Sequence, residues 1–73
     1  MNKNRRNKVS DAISSLSNAW NILNMVRDDE QSAYDNLPEG LQNSERGEDM
    51  EEWIERLDTA CCGIDDIIND LRL

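Results

Sequence analysis

A chain of 73 residues has room for one domain at most, and so small a core supplies only about 3 to 5 kcal/mol unless something reinforces it. Disulfides are a poor source of reinforcement, because the two cysteines, Cys61 and Cys62, are adjacent and neighbouring side chains on a helix diverge. The net charge of −8 hides a segregation: residues 1 to 27 carry five bases and one acid (+4), residues 28 to 73 three bases and fifteen acids (−12), which argues against direct nucleic-acid binding along the whole chain.

The first eight residues, MNKNRRNK, are too polar and too charged to pack and read as a basic arm, disordered in part. In an antiparallel hairpin this arm lies beside the end of the second helix, where Arg5, Arg6 and Lys8 are expected to pair with Asp66 and Asp70. The following VSDAISSLSNAW is too polar for the core of a signal peptide, and no apolar run approaches membrane-spanning length. The expected location is the cytoplasm, with no membrane contact.

From Val9 onward the apolar residues follow a helical heptad. Position a holds Val9, Leu16, Leu23, Glu30 and Leu37, position d holds Ala12, Ala19, Val26 and Ala33, and position e includes Ile13, Trp20 and Tyr34. Glu30 and the e-position Arg27 interrupt this stripe. A first helix over about 9 to 36 is predicted. NLPEGLQNS then brings the only proline and a glycine two residues later, a combination that stops a helix and turns the chain over about 37 to 43.

Ser44 sits where an N-cap is wanted, with Glu45, Glu48 and Asp49 placed to complement the positive end of a helix dipole. The second helix, about 44 to 72, repeats the heptad without exception: Met50, Leu57, Ile64 and Leu71 at a, Trp53, Ala60 and Ile67 at d, Ile54, Cys61 and Ile68 at e. Gly47 costs roughly 1 kcal/mol relative to alanine inside a helix, which points to a close backbone approach near the turn. The fold class is therefore all-α: residues 9 to 73 form two long antiparallel helices, a coiled-coil-like hairpin. A stripe that includes a, d and e is wider than a two-helix seam needs and suits a helix with two neighbours. A homodimer closing a four-helix bundle is the simplest expectation, with Leu16, Trp20, Leu23, Tyr34, Met50, Trp53, Leu57, Ile64 and Ile68 as its core and dimer residues. Ile22 and Met25 fall outside the stripe and, with Asn18 and Asn21, read as a secondary contact face.

The second helix also carries a negative face. Glu51, Asp58 and Asp65 repeat at b, Glu52 and Asp66 at c, and Glu48 and Glu55 fall at f. From Glu45 to Asp70 there are ten acids over roughly 39 Å of helix, one per about 4 Å, against one phosphate per roughly 3.4 Å of a DNA strand. Such a face suits the cationic groove of a nucleic-acid-handling protein; the plainer reading makes it the solvated outer side of a coiled coil. The chain has no histidine and no motif for nucleophilic attack, so no catalytic residue, metal or cofactor is expected. Cys61 reads as a small core residue and Cys62 as an exposed thiol, without the CxxC spacing of a redox or metal pair.

Two resemblances bear on function. Glu51, Glu52, Glu55, Asp66 and Asp70 are loosely similar to the EExxE and ExxD acids with which all-α nucleoside triphosphate pyrophosphatases hold magnesium, although that family sets its two acidic groups on separate converging helices and here they share one. From Asp28 onward, and most in DNLPEGLQNSERGEDME, the chain resembles a family of small uncharacterised proteins encoded by bacteria of the Firmicutes type and by their phages and prophages. In that family a turn comparable to Asn36-Leu37-Pro38-Glu39 joins two helices, and Ser44-Glu45-Arg46-Gly47-Glu48 opens the second. Trp53 and the cysteine pair depart from the family's more usual polar or alanine residues. The resemblance implies a helical hairpin and, if the chain is phage-encoded, the host cytoplasm. Together these features predict a non-enzymatic acidic interaction module, a phage or prophage accessory protein that binds a host or viral protein with a basic surface, with inhibition of a nucleic-acid-handling or defence protein as the further expectation. A structural coiled-coil adaptor with no inhibitory role is the alternative, and a magnesium-dependent nucleotide pyrophosphatase-like protein a remote one.

Overall fold

The computed structural model describes residues 1–72, so the final position of the expected 9–73 hairpin lies outside the described residues. Helix α1 spans Lys3–Asp35, a short helix α2 spans Glu39–Gln42, and helix α3 spans Glu45–Leu71. The chain folds back on itself as an all-α hairpin, with α1 packed along α3. Its extents are 58 × 15 × 14 Å and its radius of gyration is 16.9 Å, against roughly 11 Å for a compact chain of this length. The molecule is a rod two helices thick.

Helix α1 begins six residues earlier than the heptad pattern does. The Asn2 side chain accepts a hydrogen bond from the Arg5 amide at 2.8 Å, an N-cap that satisfies one of the amides the first turn leaves open. The basic arm is thus the first two turns of α1, carrying cations at the positive end of the helix dipole, where they are unfavourable. The arm reads as disordered in part from its polarity and charge, and the Asn2 cap supplies what that reading lacks. No ion pair joins Arg5, Arg6 or Lys8 to Asp66 or Asp70 among the described residues. The interhelix register, set by Arg27 beside Asp58 and Tyr34 beside Glu51, explains why: it places Asp66 at the level of Ala19, well past the arm.

The turn closes by local bonds. The Asn36 amide donates to the Ser32 carbonyl at 3.1 Å, Pro38 prevents a further helical bond, and α2 makes a single helical turn. The Gln42 side chain reaches back to the Tyr34 and Leu37 carbonyls at 3.4 and 3.5 Å, adding to the bond that the Tyr34 carbonyl accepts from the Leu37 amide at 3.1 Å. Ser44 caps α3 as its position predicts, accepting from the Gly47 amide at 3.4 Å, while its hydroxyl donates to the Leu41 carbonyl. Gly47 is buried. A β-carbon there would stand 2.8 Å from the Leu41 carbonyl oxygen and 2.6 Å from the Gln42 carbonyl carbon, closer still to the Gln42 oxygen. The close approach expected at Gly47 is real, and the neighbour is α2 rather than α1.

The seam between α1 and α3 uses heptad positions a and e, with d left out. In α3 the buried apolar residues are Leu57, Cys61 and Ile68, flanked by half-buried Met50, Ile54 and Ile64. Facing them, α1 presents half-buried Ile13, Leu16, Trp20, Leu23 and Tyr34. Spacings of three and four residues along a and e form one stripe about 100° wide, enough for a single neighbour. The d row turns outward: Val26 is 46% exposed, Ile67 48% and Trp53 53%. Trp53, expected in a core, therefore lies outside the intramolecular one, its ring covered on one side by the Arg56 guanidinium 5.1 Å from the centroid.

Candidate functional site: the acidic side of the hairpin

The two broad sides of the rod differ in chemistry. On one side the b rows of both helices meet: Gln31 and Tyr34 share a groove with Glu51, Ile54 and Asp58, and Asn24 and Arg27 share the next with Asp58, Cys62 and Asp65. These depressions are shallow and open to solvent. Among the described residues, no group of three or more histidine, cysteine, aspartate or glutamate side chains is arranged to hold a metal ion.

Two of the seven acids expected to form a partner-binding face are engaged within the hairpin. Tyr34 Oη donates to Glu51 Oε1, and Arg27 Nη1 lies 3.1 Å from Asp58 Oδ1. Arg27 also reaches Asp28 at 2.9 Å, and its Nε is buried with no hydrogen-bond partner. A third acid, Glu52, pairs along its own helix with Arg56 at 3.4 Å. Glu48, Glu55, Asp65 and Asp66 are exposed and form no ion pair among the described residues. They line the outer and b-facing sides of α3.

Arg27 reads in the sequence only as a break in the apolar stripe. The structure gives it a role: a cation at e on α1 meets a carboxylate at b on α3, one of two polar contacts that hold the register. The signal was present, since an antiparallel hairpin brings e and b rows together, but it becomes legible only once the turn has set the level at which residues meet. A partly exposed pair of this kind contributes roughly 0.2 to 1 kcal/mol, so its value lies more in alignment than in stability. Cys61 is buried and Cys62 exposed, as their e and f positions imply.

The Tyr34 hydroxyl is held above its ordinary value of 10.0. The hydrogen bond to Glu51 is the largest cause, followed by partial loss of water and then by the negative charges of Glu51 and Asp35. A phenol whose pKa is raised on folding favours the folded state below pH 10, and that contribution is lost as pH climbs through the raised value. Since Tyr34 is the only tyrosine, its titration is directly visible as tyrosinate absorbance. Glu51→Gln is expected to bring the titration down toward 10; identical titration curves for parent and variant would show that the contact is not formed in solution.

No protein-family model, curated protein or solved structure matches the chain.

Proposed function

We propose that this protein is a non-enzymatic acidic interaction module whose unpaired carboxylates along α3 engage the basic surface of another protein. The observation that carries the reading is the row of exposed, unpaired acids, Glu48, Glu55, Asp65 and Asp66, displayed on a rod with only shallow grooves. Helix α3 holds ten acids and two bases, a net −8, whereas α1 holds five of each. The strongest field therefore lies on one edge of the rod, and it steers a cationic surface toward that edge. The specific form we favour is a phage or prophage accessory protein occupying the cationic groove of a nucleic-acid-handling or defence protein of its host. The DNA-like linear density of charge supports it, as does the resemblance of the segment from Asp28 onward to such proteins.

The test is competition with DNA for a panel of DNA-binding proteins at increasing salt. Replacing Glu48, Glu55, Asp65 and Asp66 by their amides leaves the contacts of Glu51 and Asp58 intact. At roughly 0.4 kcal/mol for each exposed charge pair, the fourfold variant is expected to bind about tenfold more weakly, and parent binding is expected to weaken as salt screens the field. Binding that ignores both salt and the four amides would discard the acidic-face reading. The second reading, a structural helical adaptor, is favoured by the outward-facing d row.

A further inference from the structure

On the side of the rod opposite the acidic grooves, the apolar d residues Val26, Trp53 and Ile67 are exposed and have no partner among the described residues. Positions b and d flank the a/e seam on opposite sides, so the meeting of the two b rows places both d rows together on the other broad side. The register then puts the d residues of the two helices level in three layers: Ala33 with Trp53, Val26 with Ala60, and Ala19 with Ile67. Every layer holds one large residue and one small one, and the large member alternates between α3 and α1.

We propose that a second copy of this chain covers this face, packed about a two-fold axis running along the rod so that both turns lie at the same end. That axis sets α1 of each copy over α3 of the other. Trp53 then faces Ala33 of the second copy, Val26 faces its Ala60, and Ile67 faces its Ala19, large against small in every layer. At the flanking g positions the same operation brings Asp29 to the level of Arg56 of the second copy, opposite in charge, and Ile22 to the level of its Gly63. The other closed arrangement, with the turns at opposite ends, stacks α3 on α3. It sets Trp53 against Ile67, Ile22 against Asp29 and Asp49 against Asp70, and brings together two helices of net −8. Charge and side-chain volume both select the first arrangement.

Two further observations fit this occupant. The chain exposes 5644 Å² against roughly 4600 Å² for a compact monomer of its mass, and the excess is about what one partner buries in a stable interface, roughly 800 Å². Gly63 lies inside α3, where glycine costs about 1 kcal/mol relative to alanine, yet a β-carbon there would meet nothing within 4 Å. Within one chain Gly63 has no packing reason to be glycine. Against Ile22 of a second copy it does.

The proposal goes beyond the acidic-face reading, since the d side and the acids of α3 point in different directions, and either can fail alone. Sedimentation equilibrium of the full chain is the test. The parent is expected at twice 8.4 kDa. Gly63→Gln, which meets open space in the single chain and improves helix propensity, is expected to keep the helical signal. It should also raise the dimer dissociation constant by about a hundredfold or more, because two-fold symmetry applies the clash with Ile22 twice. Arg56→Asp alone and Asp29→Arg alone should each weaken the dimer, and the double reversal should restore it, which the turn-opposed arrangement does not predict. The amide variant of Glu48, Glu55, Asp65 and Asp66 should dimerise at least as tightly as the parent. A parent of single-chain mass at all concentrations, a Gly63→Gln dimer as tight as the parent's, or a double reversal no better than the sum of its parts would overturn the proposal.

Discussion

Gly47→Ala is expected to lower the stability of the hairpin by about 2 kcal/mol, within the range of overpacked sites, and Tm by roughly 10 °C. On an open helix the same change gains up to about 1 kcal/mol from propensity, so the sign depends on what the new methyl group meets. Here it meets backbone: the Leu41 and Gln42 carbonyls stand inside van der Waals contact of the added carbon. A flexible side chain could rotate aside, but these carbonyls belong to α2, which is tied to α1 by the Gln42 side chain and to α3 by Ser44. Relief requires moving the whole turn. Gly40→Ala is the internal control, because a β-carbon at Gly40 finds nothing within 4 Å, and it should leave the urea midpoint unchanged or slightly raised. Equal midpoints for Gly47→Ala and the parent would show that the turn is looser than described.

The same two glycines and their neighbours show how far the sequence could be read. The hairpin was legible because Pro38 interrupts two apolar repeats of the same period, and Ser44 was legible as a cap because its place ahead of three acids leaves little else for it to do. The choice among a, d and e was not. A heptad pattern specifies which residues are apolar but not which pair of rows a single neighbour takes. That depends on how α2 sets α3 against α1, and so on the packing of Gly47 under Leu41 and Gln42. Once that angle is set, a and e close the seam and d is turned out, which leaves Trp53, expected among the core and dimer residues, 53% exposed in the single hairpin. The acidic face was legible as a list of residues and not as a surface. Glu51 and Asp58 share the b row with Asp65, yet both are bonded across the hairpin by the e-position residues Tyr34 and Arg27 of α1, at levels that only the turn sets.

Leu57→Ala is expected to cost about 3 kcal/mol, typical of a leucine truncated in a core, which is most of what so small a core supplies. Leu57 is 8% exposed and sits near the middle of α3, where the rod can neither fray nor collapse easily around a cavity. With roughly 0 to 2 kcal/mol left, the dilute protein should lose up to about half of its helical signal at 25 °C and unfold at a much lower urea midpoint than the parent. Trp53→Ala is the informative partner to this experiment. Its side chain is larger, but it is half exposed and packs on Arg56, so in the isolated hairpin its loss should cost much less than that of Leu57. If a second copy covers the d side, the order changes with concentration, because assembly stabilises the folded chain by mass action. Trp53→Ala should then lose the rise in Tm that the parent shows on concentration, and Leu57→Ala should recover part of its helix when concentrated. A Tm independent of concentration for parent and Trp53→Ala alike would leave Trp53 an exposed aromatic with no partner, and a Leu57→Ala chain with the parent's urea midpoint would remove the a/e seam as the source of the fold.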